Sequence, residues 1–520
     1  MDDATPATPQ RAGGYAWYVL GVLFLVYVLN FIDRQILAIL ADDIKRDLGL
    51  TDGDIGFLYG TAFGVFYALF GIPLGRLADS WRRVRLMSLG LALWSAMTAL
   101  SGFARTGLAL AGARIGVGVG EATASPAAYS LISDWFPRRL RATALAIYSA
   151  GIYVGGGLSL FIGGAIVERW DAAYPAHSGP MGLAGWQAAF LAVGVPGLLV
   201  AVLVATLREP MRGQSEGLLA PPDPAPFKGF VEELLTVIPP FTLLGAARRG
   251  IRALAANVAV LAMVGAAVMV LVVGLGEPLL QWAAVGVGVY AVFSWGAALR
   301  QRDPPSFALI LGSRAFLAVV LAYGLNAFLA YAVAAFAPSF ARREFGISAD
   351  EVGLMVGLPA AVAGLLGVTL GGRIADRLRE RHPAGRVAVV IFGSVAPVPA
   401  VALAFTADTP ALFYAMIPLA QLLASSALGA SAAATQDLVL PRMRGTATAA
   451  FFIGTTLIGL ALGPYLAGRI SYLSGSLATG ILALLVTVPV ALAAAIAAWR
   501  LLPEAEASRQ QRARAAGEPL

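Results

Sequence analysis

The sequence predicts an all-α, multi-pass membrane protein made of two parallel six-helix halves plus an inserted hairpin. Three observations carry this. Charge is scarce: 13% of the 520 residues are charged, 58% are hydrophobic, and the mean hydropathy is +0.77. A soluble protein would carry roughly 25% charged residues. Apolar runs long enough to cross a ~30 Å hydrocarbon core recur along the whole chain. Finally, motifs of the first half return in the second half in the same order. The alternating strands of ~10 residues that a membrane β-barrel needs do not occur.

In chain order, spans are expected at 17–40, 54–75, 86–104, 107–131, 140–167 and 184–207, then at 314–340, 351–372, 387–406, 411–436, 446–469 and 477–500. The connections alternate in charge. Segment 41–54 is acidic, with Asp42, Asp43, Asp47, Asp52 and Asp54 against Lys45 and Arg46. Arg76, Arg82, Arg83 and Arg85 follow span 2, Arg138, Arg139 and Arg141 follow span 4, and Arg373, Arg377, Arg379, Arg381 and Arg386 follow span 8. Positive charge marks the cytoplasmic side. Both termini are therefore expected in the cytoplasm, and the chain in the cell (inner) membrane.

The duplication is read from LGLTDGDIGFLYG (48–60) against FGISADEVGLMVG (345–357), an offset of 345 − 48 = 297. At that offset GRLAD (75–79) falls on GRIAD (372–376). Asp134, Arg141 and Thr143 fall on Asp437, Arg444 and Thr446 at 437 − 134 = 303. Parallel six-span repeats are one of the layouts of secondary transporters. The expected organisation is a tail at 1–16, a bundle at 17–207, a central linker at 208–313, a second bundle at 314–502 and a tail at 503–520. Within the linker, Ala253–Gly274 and Leu279–Leu299 are each long enough to cross, with a turn at Gly276–Pro278. They give a 14-span protein, or else a hairpin lying against the cytoplasmic face. Phe227–Ala247, interrupted by Pro239–Pro240, reads as interfacial, and the polar tail after Pro503 as disordered.

Several functions are disfavoured. There is no cysteine, which removes disulfides and thiol chemistry. His177 and His382 fall in loops, so no intramembrane metal centre is expected. No GxxxxGK[ST] loop for nucleotide-driven pumping occurs. No cofactor and no nucleic-acid partner is expected, because the basic residues sort onto one side of the membrane. An enzyme would need a convergent nucleophile or metal set; the intramembrane cluster is two carboxylates and two arginines.

At GRLADSWRRVR (75–85) the chain resembles the major facilitator superfamily. That family has Gly, then Asp four residues later, then clustered basic residues between spans 2 and 3. Here Ser80 and Arg82 stand where a basic residue and a glycine are usual. Arg114, the glycine-rich stretch 151–164 and Arg208-Glu209-Pro210 support the resemblance. NFIDRQ (30–35) with RIGVGVGEA (114–122) is similar to the Spinster branch, whose members move lysophospholipids, sphingolipids and related amphipathic lipids. A similar Asp-Arg occurs in organic-anion and sugar-acid symporters. The resemblance implies that spans 1, 4, 7 and 10 line a central cavity. It also implies that Gly75, Asp79, Arg83, Arg85 and Asp376 gate the cytoplasmic end, holding the halves together while the cavity faces outward.

The residues themselves point to coupling. Asp33 and Arg34 lie about 10 Å below the outer end of span 1 at ~1.5 Å per residue, and Arg114 lies equally deep in span 4. Glu121 shares a face with Arg114, seven residues on. A charge in mid-membrane costs at least ~2.5–3.5 kcal/mol. Adjacent residues on a helix point about 100° apart, so Asp33 and Arg34 need partners elsewhere. Side-chain lean brings Arg34 and Glu121 together, and makes Asp33 the acid nearest Arg114. Such a cluster could simply glue two spans, but a buried pair rarely beats apolar packing. Desolvation and a guanidinium pull a carboxyl's proton affinity in opposite directions. An acid whose arginine comes and goes can therefore load and release a proton. The expectation is that Asp33 is the principal proton carrier, with Glu121 coupled through Arg34.

The second half has no equivalent: at offset 297 Asp33 and Arg34 fall on Ala330 and Tyr331. Four charges facing an uncharged wall suit a substrate with a charged head and an apolar body. Asn30, Tyr148, Tyr153, Asn326, Phe328, Tyr331, Gln421, Ser425, Ser426 and Phe452 are candidate binding residues. The expected function is proton-coupled alternating access by a monomer, with protons, an amphipathic or anionic small molecule and membrane lipids as partners. A sugar-acid symporter and an uncoupled facilitator are the rival readings.

Overall fold

The computed structural model describes residues 12–175, 178–216 and 224–519, which fold as helices without strands. Among the described residues, thirteen helices are long and apolar enough to cross a membrane. In the first half these are Gly14–Leu48 (span 1), Asp52–Ser80 (span 2), Arg83–Ser101 (span 3), Thr143–Ala173 (span 5) and Gly185–Ala205 (span 6). Ile251–Gly274 and Leu279–Arg302 form the inserted hairpin. The second half supplies Arg314–Phe345 (span 7), Ala349–Arg381 (span 8), Gly385–Phe405 (span 9), Pro410–Asp437 (span 10), Pro441–Ser474 (span 11) and Leu477–Ala507 (span 12). Span 4 joins them as two shorter pieces, Gly107–Glu121 and Ala124–Trp135.

That break corrects the expectation of one continuous helix over 107–131. Pro126 has no N–H to offer the carbonyl of Ala122 and its ring crowds it. Thr123 adds a competing bond, its Oγ1 donating to the Gly120 carbonyl at 2.8 Å. Glu121 thus becomes the last residue of a half-helix. The duplication is also visible in the caps. Spans 1 and 7 both end on a glycine with φ 66°, Gly49 and Gly346, a left-handed turn that glycine enters without steric cost.

We name the two ends of the bundle outer and inner after the arginine distribution. At the outer end the halves are in tight contact. A Cβ on Gly164 of span 5 would fall 2.2 Å from the Ala349 carbonyl oxygen of span 8, and one on Gly468 of span 11 would fall 2.1 Å from that of Asp52 of span 2. Only glycine admits that approach. At the inner end Ala124–Trp135 packs on helices of its own half. The closest approaches between the halves described above are thus at the outer end. Of the span 5 glycines, Gly151 and Gly155 face span 1, Gly157 faces span 8, and Gly156 faces open space.

The hairpin covers the seam between spans 2 and 11. A Cβ at Gly288 would meet Leu457 of span 11 at 2.8 Å and Val65 of span 2 at 3.5 Å. Its turn is anchored to span 11, Glu277 accepting from the Tyr465 hydroxyl at 2.5 Å and from Arg469 Nε at 3.0 Å. Its other helix, Ile251–Gly274, is almost wholly exposed. Pro226–Val237 and Phe241–Arg249 precede it, bent by 99°. The tail after Pro503 is not disordered. Span 12 continues as a helix to Ala507, Arg509–Ala515 forms another, and Ala513 is buried there. Glu518 pairs with Arg442. Apolar contacts at Leu502 and Ala513 hold a segment whose composition alone reads as solvated. His177 lies outside the described residues; His382 stacks on Trp499 in the loop after span 8.

Candidate functional site: a buried charge cluster and two sets of gates

Asp33, Arg34, Arg114 and Glu121 converge between spans 1 and 4, each buried. Arg34 donates to Glu121 Oε2 from Nη2 at 2.8 Å and from Nε at 3.3 Å. Its guanidinium lies against the rings of Phe31, Phe63 and Tyr67, with centroids 4.6–4.8 Å away. A desolvated cation gains about 2 kcal/mol or more from such faces. Arg34 therefore has two kinds of partner, one acidic and one aromatic. Phe63 and Tyr67 were not foreseen. An aromatic pair at i and i+4 in a span looks the same whether it packs or cages a cation.

The second expected contact differs in kind. Arg114 does not meet the Asp33 carboxylate. Its Nη1 donates to the Asp33 main-chain carbonyl at 3.0 Å, and its Nη2 reaches the Arg34 carbonyl at 3.5 Å. Lean and depth bring the two residues to one level, but the arginine reaches the backbone first. Asp33 is turned toward span 3, alongside Trp94 and Thr98, and its Oδ1 has no hydrogen-bond partner among the described residues. Trp94 Nε1, Thr98 Oγ1 and Arg114 Nε are likewise buried without partners. One acid is thus paired with an arginine, while the other faces neutral groups of span 3. Asn30 lies beside Glu121.

The other candidate binding residues divide. Tyr153 of span 5 crosses to Gly364 of span 8, with Gln421 of span 10 close by. Tyr331 is half-buried in span 7, close enough to Arg34 to feel its charge. Five are taken up by packing. Tyr148 stacks on Tyr27 at 4.2 Å and is fully buried. Asn326 donates to the Ala424 carbonyl at 3.2 Å. Phe328 is buried, its backbone against Gly463. Ser425 donates to Gly364 and Leu422, and Ser426 to Leu423. Phe452 is exposed and touches Phe451.

At the inner end Arg83 binds within its own half. It pairs with Asp134, donates from Nε to Glu209 at 2.9 Å, and reaches the Pro210 carbonyl at 2.8 Å. Arg386 bonds Asp376 at 3.0 Å and pairs with Asp437. Asp79 and Arg85 are exposed, and Gly75 has Pro126 of span 4 at 3.9 Å from its would-be Cβ. These contacts hold each half together separately.

The outer end carries an ion-pair cluster between the halves that sequence reasoning missed. Arg343 grips Asp52 through two bonds, at 2.8 and 3.0 Å, and Asp42 at 2.5 and 2.8 Å. Arg342 bonds Asp43 at 2.9 Å, while Lys45 and Ser471 complete Asp52 at 2.7 and 2.8 Å. A signal was present. KRDLG (45–49) recurs as RREFG (342–346), whereas Asp42 and Asp43 fall on Ser339 and Phe340. The second repeat keeps the bases without the acids, so its arginines cross to the first.

With this geometry in place, likeness to known proteins can be assessed. The Major Facilitator Superfamily model matches residues 23–325 and 319–520. An MFS-type efflux pump of Mycolicibacterium smegmatis (strain ATCC 700084 / mc(2)155) is 29% identical over 470 residues, 90% of this chain and 87% of the relative. Protein spinster of Drosophila melanogaster is 25% identical over 479 residues, 90% of this chain and 64% of that protein. Among solved structures, a bacterial homolog to the human lysosomal transporter Spinster, in an inward-facing and unoccupied conformation, superposes with a TM-score of 0.66. It is 26% identical, covering 97% of this chain and 98% of that one. The chain belongs to the Major Facilitator Superfamily: it is a multi-pass membrane transporter, not an enzyme, and Spinster proteins are among its likenesses within the superfamily.

Proposed function

We propose that this transporter is proton-coupled and carries an amphipathic molecule with a charged head and an apolar body. Asp33 is the principal proton carrier, and Glu121 is coupled to it through Arg34. The observation that carries this is the inequality of the two buried acids. Glu121 is held by Arg34 at 2.8 Å, whereas Asp33 forms no ion pair among the described residues. Asp33 is on span 1 and Glu121 on span 4, so a movement of span 1 that draws Arg34 from Glu121 changes the field at Asp33. Arg34 has aromatic faces to rest on in the interval. Outer closure by Arg342 and Arg343 and inner closure by the loop after span 2 are the two limits of the cycle. The protein acts as a monomer in the cell membrane with both termini in the cytoplasm.

Tyr153, Tyr331 and Gln421 stand at the meeting of the halves and form the opposite wall of the substrate site. The charged head binds on the Arg34 side and the apolar body on the second half.

In reconstituted vesicles Asp33→Asn abolishes uptake driven by a pH gradient while substrate exchange continues. Full gradient-driven uptake by this variant would overturn the assignment, and no proton movement in the unaltered protein would make it a facilitator. A thermal-shift screen separates substrate classes. Lysophospholipids and sphingoid bases are expected to stabilise the protein; stabilisation by sugar acids alone would replace the lipid reading.

A further inference from the structure

The cytoplasmic base of the inserted hairpin contains a cation that the protein does not satisfy. Arg249 ends the helix Phe241–Arg249, and its Nη1 and Nη2 are shielded from solvent with no acceptor among the described residues. Its Nε alone is bonded, to the Gly245 carbonyl at 3.3 Å. Its nearby polar groups are the Tyr290 side chain and another cation, Arg302, which is itself taken by Glu233 at 2.7 Å. Thr242, seven residues earlier and so on the same face, also has a buried hydroxyl without a partner. That face, with Gly245 and Ala246, turns into the junction with Pro226–Val237 and Leu279–Arg302. A half-buried guanidinium whose terminal nitrogens are cut off from water favours an accompanying anion.

The surroundings identify the anion. Arg248 and Arg252 are exposed at the same turn. Around them Phe241, Leu244 and Ile251 are exposed apolar side chains, as are Val258, Leu261 and Met263 along the next helix. Arginines at the membrane surface beside an apolar, outward-facing helix form a boundary that phosphate and acyl chain fit together. A free phosphate would use the arginines and leave the apolar rim uncovered. We propose that this junction binds the headgroup of an anionic phospholipid, its phosphate taken by Arg249 with Arg248 and Arg252 around it and its chains along Ile251–Gly274. The site is separate from the transport cavity and fixes the hairpin to one leaflet.

The test uses the full chain in a neutral detergent. Native mass spectrometry after addition of equal phosphatidylglycerol and phosphatidylcholine should show preferential retention of the anionic lipid. Each arginine near such a surface is worth about 1 kcal/mol, or about fivefold in retention. Arg248→Gln/Arg252→Gln, at exposed positions, should reduce the preference substantially, and Arg249→Gln should abolish it. Arg381→Gln, an exposed arginine at the inner end of span 8, should leave it intact. A thermal-stability arm compares the same lipids with inorganic phosphate. Equal retention of both lipids, or an unchanged preference in Arg248→Gln/Arg252→Gln, overturns the proposal. Stabilisation by inorganic phosphate equal to that by phosphatidylglycerol overturns the assignment to a lipid.

Discussion

The charge network at the inner end is built twice, and the one in mid-bundle once. Arg83 pairs with Asp134 and Glu209 in the first half, and Arg386 pairs with Asp437 in the second, where Arg379 takes Glu506. The positions correspond: 386 − 83 and 437 − 134 both give 303, and 506 − 209 gives 297. What a six-helix unit needs to seal its inner end has been kept in both copies. Asp33, Arg34, Arg114 and Glu121 have no counterpart, so the fold does not need them. The same logic separates the outer gate, where the basic pair is duplicated and the acids are not. That asymmetry turns a repeated feature into a bridge between halves.

Breaking one member of the unique network should have the largest effect. Glu121→Gln leaves Arg34 buried without its anion, and removal of one partner of a buried pair costs about 3–5 kcal/mol. The aromatic faces of Phe63 and Tyr67 recover part of this, so a loss nearer 3 kcal/mol in detergent unfolding is expected. Arg34→Met/Glu121→Leu removes both charges and should unfold close to wild type, yet transport nothing. A double variant as unstable as the single one would mean that the pair belongs to the fold after all.

A second break is available at the outer end. Arg343→Gln removes four hydrogen bonds to Asp42 and Asp52 and should shift the protein toward the outward-open arrangement. The chain has no cysteine, so a single introduced one reports alone. Ser471 is buried at this seam. Ser471→Cys should react slowly with a membrane-impermeant thiol reagent from outside, and roughly tenfold faster beside Arg343→Gln, as a gate shift of about 1.4 kcal/mol implies. Equal rates would mean that the glycine contacts, not the ion pairs, close this end.

Much of this was legible in the sequence. Scarcity of charge, span-length runs and a fixed offset between repeats suffice for the architecture, because each reflects the bilayer or the duplication directly. Arg34 and Glu121 could be paired from helix geometry, since both are long and lean toward each other. Asp33 with Arg114 could not, because an arginine can satisfy itself on a main-chain carbonyl that no side-chain pattern reveals. The break after Glu121 was signalled by Pro126, but one proline in a long apolar run is as often a kink as an end. Tyr148, Ser425 and Ser426 show what a sequence pattern does not settle. A polar or aromatic residue on a cavity-lining span still has more than one face to choose from, and theirs face neighbouring helices.

The duplicated network offers a finer comparison, since its two copies differ in burial. Arg83 is 1% exposed on its side chain and Arg386 is 20% exposed. Arg83→Gln should therefore lower stability by about 2 kcal/mol or more, toward the buried-pair range. Arg386→Gln should cost about 1 kcal/mol or less, as screened pairs do. Equal losses would mean that burial does not set the difference.

The smallest effect is expected where the insert meets the second half. Burial pushes the Asp303 carboxyl up, but hydrogen bonds from Arg442 at 2.9 and 3.1 Å, and from Ser306, outweigh it and hold it at about 2. A carboxyl lowered in the folded state stabilises above its unfolded value of about 4. That contribution is lost as pH falls from about 4 through about 2. Asp303→Asn should leave transport intact and flatten the stability profile in that window alone. The contact is partly exposed and screened by salt, so the difference should shrink as ionic strength rises. A loss of transport in this variant would mean that the hairpin's attachment to span 11 is part of the cycle, and that a feature present once can matter through position as well as through chemistry.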